Sequence, residues 1–380
     1  MRIAVNTRLL LHGKLEGIGR VEYELLSRIT RDHPEHEFIF IFDKKYSEEF
    51  IFSDNVKPIV VMPPTRAPIL MYLFFEWSVY RTLKKHKADI FISPDGWVSL
   101  RSKVPTISII HDLNFEYFPE FFPRKMLRYY QHFFHKFAKR ADKIVAVSEY
   151  TKQDIIKCYD INPSKVDVVY NACSDNFHPI SEEHKVRTRE KYTDGCEYFI
   201  FVGSLHKRKN LVNLFLAFDK YKDLSNKDTK LVIVGNKKWW KGDIENTYNT
   251  LKNKSSVIFT GFLSAEYVND IVASAIAELY ISFFEGFGIP ILEAFNAETA
   301  VITSNTTSMP EVAGDAAIIV DPYKVDEIVS AMIKVESDVE CRNELILKGR
   351  QQSQRFCWDN SAKKFWNIIE TFMTDFSQTD

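Results

Sequence analysis

Short apolar runs recur along the whole chain, and each is followed by turn residues and then by a helical pattern. The runs are rich in Val and Ile and almost continuously hydrophobic, as in FIFIFD, TISIIHD, KLVIVGN and AAIIVDP. Strands that are buried on both faces have this composition, because helices cover a parallel sheet on either side. The pattern therefore predicts an α/β protein built on parallel sheets.

The grouping of these runs predicts two domains. A chain of 380 residues is too long for one ordinary core. The segment PISEEHKVRTREKYTDGC begins with a proline, is rich in charge and divides the runs into two groups. We expect two doubly wound, Rossmann-like domains at residues 1–178 and 197–357, with a linker at 179–196. The chain ends in a helical pattern for which Asp359 or Asn360 is the expected N-cap.

The composition excludes several classes of protein. Hydrophobic residues make up 45% and charged residues 27%, which is typical of a globular protein, and a net charge of -1 argues against a nucleic-acid partner. Five scattered cysteines without a C-x-x-C predict neither a disulfide framework nor a zinc site. The N-terminus lacks a signal-peptide pattern, and the longest apolar run, APILMYLFFEW, is too short for a membrane span and contains Glu76. These features predict a cytoplasmic protein.

The string FFEGFGIPILEA places two glutamates around a glycine-rich turn. Pro290 suits the first turn of a helix, and Gly286 and Gly288 allow the backbone to approach a ligand. The amides and the dipole of that helix start favour an anion such as a phosphate. Glu285 and Glu293 would accept hydrogen bonds from hydroxyls on either side, as in the sugar and the ribose of a nucleotide sugar. The alternative is a capped helix start with a solvated glutamate.

Two further segments resemble phosphate sites. In VGSLHKRKNL, Lys207, Arg208 and Lys209 stand at a helix N-terminus, where the dipole disfavours positive charge unless an anion compensates. In LHGKLEGIGRVEYELL, Gly17 and Gly19 open a helix after the first strand, although this is only a fragment of a dinucleotide fingerprint. A solvated basic turn and a plain glycine turn are the alternatives.

A histidine and an aspartate end another predicted strand, in SIIHDLNFEYFP. His111 is a candidate for the ligand cleft because ligands bind beyond the carboxyl ends of such strands; a structural hydrogen bond is the alternative. Asp112 is expected to orient a backbone amide. The chain contains no D-x-D, so we expect no metal and no other cofactor, with Lys, Arg and helix dipoles compensating the diphosphate charge.

Together these residues resemble the retaining glycosyltransferases of family 4, which have the GT-B fold. Glu285 and Glu293 match the E-x7-E motif, and VGSLHKRKNL, GIGR, HD at 111–112, TSMPEVAGDAAIIVDP and FCWDNSAKKFW match further segments in order. The resemblance covers nearly the whole chain. It implies two Rossmann-like domains facing across a cleft, with a terminal helix at 358–380 that crosses back to the acceptor-side first domain.

The resemblance also implies roles for individual residues. Glu285 would contact donor sugar hydroxyls near the reacting carbon, Glu293 the ribose, and Lys209 the diphosphate. Gly19, next to Gly17, would approach the diphosphate from the other domain, and His111 would lie beside the sugar. The donor-site backbone would include Gly286, Phe287, Gly288 and Ile289, and the base would lie along Gly261, Phe262 and Leu263. Ser204 stands where many members have Arg, so Arg208 would supply that charge. Trp239 and Trp240 are candidates for the base wall, with core packing as the favoured alternative.

The implied activity is metal-independent transfer of a hexose to a glycan or lipid-linked glycan acceptor in surface polysaccharide synthesis. GDP-mannose is the leading donor, and UDP-sugars and dTDP-rhamnose stay open. A sugar-nucleotide epimerase, a phosphorylase and an inactive binding subunit are the rival functions. The sequence does not determine the oligomeric state.

Two basic segments of the first domain predict contact with an anionic membrane surface. Residues 123–143 interleave seven Lys and Arg with five aromatic side chains, and residues 80–87 add four more basic residues. The alternative is that the aromatic side chains face the core and the basic ones are solvated.

Overall fold

The computed structural model describes residues 1–13, 15, 17–236, 240 and 242–378. The chain forms two compact units: unit 1 is Met1–Asn171 with Cys357–Asp380, and unit 2 is Ala172–Phe356. The stretch 179–196, expected to be a linker, contains a helix at Glu182–Thr193 that belongs to unit 2. Its high charge reflects a solvated helix face, and the Ser181 hydroxyl caps it by accepting from the His184 amide at 3.2 Å.

Among the described residues, unit 1 contains a seven-stranded parallel sheet of order β3-β2-β1-β4-β5-β6-β7. The seven apolar runs of the first half that are bounded by turn residues form these strands, as predicted, and their side chains are largely buried. The strands are β1 Arg2–Asn6, β2 Glu37–Phe42, β3 Val56–Val60, β4 Ile90–Ser93, β5 Thr106–Ile110, β6 Lys143–Ala146 and β7 Val166–Val168.

Unit 2 contains, within its described part, a six-stranded parallel sheet of order β10-β9-β8-β11-β12-β13. This order corresponds to the 3-2-1-4-5-6 order of a doubly wound nucleotide-binding fold. The strands are β8 Tyr198–Val202, β9 Lys230–Val234, β10 Val257–Gly261, β11 Ala277–Tyr280, β12 Ala300–Ser304 and β13 Ile318–Val320.

Among the described residues the connection from β4 to β5 has no helix, but helices form most of the other connections between consecutive strands in both units, as expected for parallel pairs. They are α1 Ile18–Asp32, α2 Pro68–Leu73, α3 Tyr80–His86, α4 Asn114–Tyr117, α5 Arg124–Arg140, α6 Glu149–Tyr159, α7 Glu182–Thr193, α8 Leu211–Leu224, α9 Asp243–Thr250, α10 Ala265–Ala273, α11 Ile289–Asn296, α12 Met309–Ala313, α13 Val325–Ser337, α14 Val339–Ser353 and α15 Trp358–Ser377. A π-helical turn at Phe74–Val79 joins α2 to α3. No described helix combines the length and the apolarity needed to cross a bilayer.

The last helix returns to unit 1 and packs against α1. The ring of Trp366 stacks on His33 with centroids 3.6 Å apart. The N-cap of α15 is Cys357, not Asp359 or Asn360. Asp359 lies instead in the first turn, where its carboxylate accepts from Arg28 Nε at 2.6 Å.

The aromatic side chains of α5 mostly face the unit 1 core. Tyr129, Phe134 and Phe137 are buried there, whereas Arg124, Lys125 and Arg128 are among its exposed residues. For the aromatic positions of 123–143, core packing is therefore the observed arrangement.

Candidate donor site

Two loops of unit 2 meet at the point where the strand order reverses. One follows β8 and the other follows β11, and these strands are neighbours in the sheet. Asn210, in the left-handed region at φ 60°, donates from Nδ2 to the carbonyl of Ile281 at 3.0 Å and to that of Pro322 at 2.8 Å. The Phe283 amide donates to the Arg208 carbonyl at 2.9 Å. The loops are thus tied together where ligands of such sheets bind.

A buried charge cluster lies between these loops. Lys209 Nζ donates to Glu285 Oε1 at 2.7 Å and to the Tyr280 hydroxyl at 2.8 Å. The Arg208 guanidinium pairs with the other oxygen of Glu285 and donates to the Phe284 carbonyl at 2.6 Å. The Lys209 and Glu285 side chains are only 10% and 8% exposed. The two cations and one carboxylate leave one excess positive charge.

The cluster determines the protonation of its members. Burial raises the pKa of Glu285, but Arg208 and Lys209 outweigh it and lower that pKa to about 2. Burial lowers the pKa of Lys209, and Glu285 opposes that shift. Glu285 is therefore ionised at neutral pH. Each of its oxygens accepts from one cation and keeps a further lone pair that can accept from a hydroxyl.

Hydroxyl side chains after β12 fix the loop that bears Glu285. The Ser308 hydroxyl donates to the carbonyls of Glu285 at 2.9 Å and Phe287 at 2.8 Å. The Glu285 amide donates to Thr307 Oγ1 at 3.2 Å. Sequence reasoning missed these supports, because nothing in the spacing of TTS relates it to a loop more than twenty residues earlier.

The glycine turn leads into α11 as predicted. Pro290 lies in its first turn, and Glu293 follows about one turn into the helix. Gly288 has φ 111°, a conformation that glycine adopts without strain, and a Cβ there would stand 3.2 Å from Ile291 Cδ1. Gly286, Phe287 and Ile289 complete the turn between the two glutamates.

Another carboxyl, which the sequence analysis did not single out, lies in the sheet below. Glu278 on β11 is fully buried, and neither of its carboxyl oxygens has a hydrogen-bond partner among the described residues. Because side chains alternate along a strand, it shares a face with Tyr280. Burial, reinforced by the charge of Glu293, raises its pKa well above the ordinary value, whereas Lys209 lowers it. The raised pKa and the lack of hydrogen-bond partners among the described residues favour the protonated, neutral form of Glu278. A carboxyl inside an apolar strand pattern was the available signal.

The remaining predicted residues of unit 2 lie on separate loops. Ser204 is exposed, and Lys207 pairs with Asp243 at 2.7 Å. Gly261 ends β10, and the Phe262 side chain that follows, before Leu263, is 69% exposed. Trp240 packs on aromatic side chains of the core, which confirms core packing for this residue, while Trp239 lies outside the described residues. The ring of Trp240 contacts the rings of Phe215, Tyr248 and Phe259.

In unit 1, His111 follows β5, and a hydrogen bond from its imidazole ring fixes the orientation of the side chain. Its Nε2 lies 2.7 Å from the Pro94 carbonyl, so Nε2 carries the proton in the neutral ring and Nδ1 can accept. Burial lowers the pKa of His111, against the hydrogen bond to Pro94 and the charges of Asp112 and Asp95. The Asn114 amide donates to Asp112 Oδ1 at 3.1 Å, as predicted for that aspartate.

The glycine loop after β1 has a packing requirement of its own. A Cβ on Gly19 would lie 2.6 Å from the Leu9 carbonyl oxygen, and Gly17 has φ 51°. Near the carboxyl ends of β1 and β4, Arg8 Nε pairs with Asp95 at 2.5 Å, and Asn6 Nδ2 donates to the same carboxylate at 3.0 Å. The sequence analysis did not select this network.

The structure brings together Arg208, Lys209 and Glu285 within unit 2. Gly17, Gly19 and His111 belong to unit 1. No group of three or more His, Cys, Asp or Glu side chains within the described part of the chain is arranged to hold a metal ion.

Two family models match this chain. The one described as Glycosyltransferase Family 4 matches residues 15–176, and the one described as Glycosyl transferases group 1 matches residues 183–352. Together they cover most of both units. The chain belongs to glycosyltransferase family 4. The predicted enzyme class is therefore confirmed.

Relatives and solved structures agree with this assignment. This family 4 glycosyltransferase is 27% identical over 367 residues to O-antigen chain mannosyltransferase B of Escherichia coli. The alignment covers 94% of this chain and 96% of the relative. O-antigen chain mannosyltransferase RfbU of Salmonella typhimurium is 27% identical over 271 residues, 71% of each chain. The structure of Anabaena HepE in complex with UDP and glucose aligns with a TM-score of 0.76 at 16% identity, over 97% of this chain and 99% of HepE. At that identity the likeness concerns the fold, which is GT-B as predicted.

Proposed function

We propose that this enzyme is a retaining hexosyltransferase that transfers mannose from GDP-mannose to a glycan or lipid-linked glycan acceptor during synthesis of a surface polysaccharide. The observation that carries the proposal is the buried cluster of Arg208, Lys209 and Glu285 at the switch point of unit 2. Its excess positive charge, next to the start of α11, suits a diphosphate.

Donor binding would exchange the partners inside this cluster. The diphosphate oxygens take Arg208 and Lys209, and Glu285 is released to accept hydrogen bonds from sugar hydroxyls. Glu293, one turn into α11, takes the ribose hydroxyls. Electrostatic stabilisation of the leaving diphosphate by the two cations is then the main contribution of the protein to the reaction. Transfer proceeds without a metal ion.

Retention follows in this proposal from a front-face route. The acceptor hydroxyl attacks from the side on which the diphosphate leaves, and the departing phosphate oxygen takes the proton of that hydroxyl. The neutral ring of His111, with Nδ1 as acceptor, would lie beside the donor sugar.

The donor and acceptor are inferred from the relatives. Two relatives, aligned with this chain over at least 71% of their length, are named O-antigen chain mannosyltransferases. These names favour mannose as the sugar and a polysaccharide as the acceptor. The HepE complex contains UDP, so UDP-sugars stay as the second candidate, with dTDP-rhamnose as a third. The exposed ring of Phe262 is available to contact the base. A lipid-linked acceptor would place the enzyme at the inner face of a membrane.

A nucleotide screen followed by a donor reaction tests the proposal. We expect GDP to raise the melting temperature more than UDP or dTDP does, because a ligand that binds only the folded state stabilises it, by about 2.7 kcal/mol at a hundred times its Kd. The variant Lys209→Met should lose this shift, and Lys220→Met, on the exposed pair with Asp326, should keep it. With GDP-mannose alone, slow release of GDP supports a transferase, whereas a changed sugar on intact nucleotide supports an epimerase. A shift with UDP alone would overturn the choice of donor.

A further inference from the structure

An exposed apolar stripe runs along the helical stretch from α2 to α3 of unit 1. Ile69, Leu73 and Trp77 follow one another at intervals of four residues and are 64%, 41% and 49% exposed. Arg81 and Lys85 continue the same spacing and are also exposed. A spacing of four drifts around an ordinary α-helix, but the π-helical turn at Phe74–Val79 takes extra residues per turn and limits that drift. The stripe is therefore apolar at one end and basic at the other.

Neighbouring residues widen this surface. Met62 is 66% exposed, and its carbonyl accepts a hydrogen bond from the Ser78 hydroxyl, so it lies beside the stripe. Tyr72 is 38% exposed, and its ring contacts Phe133 of α5 with centroids 5.6 Å apart. Contiguous exposed apolar groups of this kind usually mark an interaction site.

The acidic residue of this segment is turned away from the surface. Glu76 is the sole acid between residues 60 and 87, and it is buried. Its carboxylate accepts from the amides of Leu100 at 2.6 Å and Arg101 at 3.1 Å. The Arg101 guanidinium lies 5.6 Å from the centroid of the Trp77 ring and that of Arg81 lies 4.4 Å from it. The inward glutamate thus leaves an outer face with positive charge alone.

The basic side chains on this face lack acidic partners. Arg81, Lys84 and Lys85 are exposed, and none forms an ion pair with a described residue. A second copy of the chain would bring these like charges together across a two-fold axis, which opposes self-association. An anionic lipid surface complements both parts of the face, since Trp and Tyr prefer the headgroup level and Lys and Arg attract acidic lipids.

We propose that this face, defined by Met62, Ile69, Tyr72, Leu73, Trp77 and the basic residues Arg81, Lys84 and Lys85, docks unit 1 on a bilayer rich in anionic lipid. The apolar side chains enter the headgroup boundary, and the basic ones stay at the level of the lipid phosphates. This assigns the contact to residues 62–85 and not to the aromatic side chains of α5. Only the use of the contact, which is to bring the enzyme to a lipid-linked acceptor, depends on the proposed function.

Vesicle cosedimentation of the full chain tests this proposal. The wild type should pellet with phosphatidylglycerol-containing vesicles at low salt and not with pure phosphatidylcholine. The variant Ile69→Ser/Leu73→Ser/Trp77→Ser should bind about tenfold more weakly or worse at every salt concentration. The variant Arg81→Ser/Lys84→Ser/Lys85→Ser should bind more weakly than the wild type at low salt, and its remaining binding should depend less on salt, because the charges that salt screens have been removed. The control Leu216→Ser/Leu347→Ser, which changes exposed leucines of unit 2, should bind like the wild type.

The outcomes separate this inference from the donor chemistry. Circular dichroism and GDP release from GDP-mannose in solution should be unchanged in the apolar variant, because these residues lie in unit 1 outside the donor cluster. Unchanged vesicle binding by the apolar variant, or no binding of the wild type at low salt, would overturn the proposal. So would sedimentation velocity showing that the wild type is a dimer and the apolar variant a monomer, since a second copy would then cover the face.

Discussion

The pair formed by Lys209 and Glu285 should show a measurable coupling in a double-mutant cycle. The cycle compares the wild type with Lys209→Met, Glu285→Gln and the double variant. In the structure, Lys209 Nζ lies 2.7 Å from Glu285 Oε1, and both side chains are nearly buried. At an effective dielectric constant of about 20, two unit charges at this distance attract by roughly 6 kcal/mol before desolvation is subtracted.

The pKa of Glu285 gives a second measure of the same interaction. The lowering from 4.5 to about 2 corresponds to about 3 kcal/mol, net of burial, and is shared between Arg208 and Lys209. We therefore expect a coupling of roughly 2 kcal/mol between Lys209 and Glu285, within the range measured for contacting residues. Glu285→Gln should destabilise unit 2 more than Lys209→Met does, because it leaves two cations without their carboxylate.

Hydrogen exchange of peptides that cover β8 and β11 would give the free energy of opening of unit 2 in all four proteins. A parallel cycle on the exposed pair Lys220 and Asp326 should give a coupling near zero, since exposed ion pairs contribute little. All three Lys209 and Glu285 variants should lose transfer activity whatever their stability. Additivity within about 0.5 kcal/mol at the buried pair would refute the reasoning.

Three further predictions follow from the same site. Glu285→Ala should mainly lower kcat and Glu293→Ala mainly raise the donor KM, each by roughly ten- to a hundredfold, as steady-state kinetics would measure; a folded Glu285→Ala enzyme with normal turnover would contradict the assignment. Transfer should survive EDTA, and complete loss that Mn²⁺ or Mg²⁺ restores would show that the cations do not replace a metal. Glu278→Gln should gain stability over the wild type as pH rises from 5 to 8 in thermal unfolding. In the wild type, the raised pKa of Glu278 gives a contribution to stability that is full below the unfolded-state pKa and is lost as pH rises toward the folded-state pKa. A stability difference between variant and wild type that does not depend on pH would contradict this reasoning.

The strands and the helix starts could be predicted because their signals are local. Each apolar run that was bounded by turn residues became a strand, whereas the longer run APILMYLFFEW became helical, and Pro290 marked the first turn of α11. The two-group pattern also indicated two doubly wound sheets, and the strand ends indicated where ligand residues would stand. The high charge of residues 179–196 predicted a linker, but this stretch contains α7, because a solvated helix and a linker have similar composition.

The partners of the site residues were decided by tertiary structure. Lys209 and Glu285 are 76 positions apart, and they meet because β8 and β11 are adjacent at the switch point of the sheet. The neutral state of Glu278 depends on burial inside that sheet, which periodicity does not measure. In the same way, whether Trp77 faces solvent while Glu76 faces the core depends on the helix to which they belong and on the loop beneath it. A sequence specifies which side chains alternate along an element, but only packing between distant elements decides which of them lose contact with water.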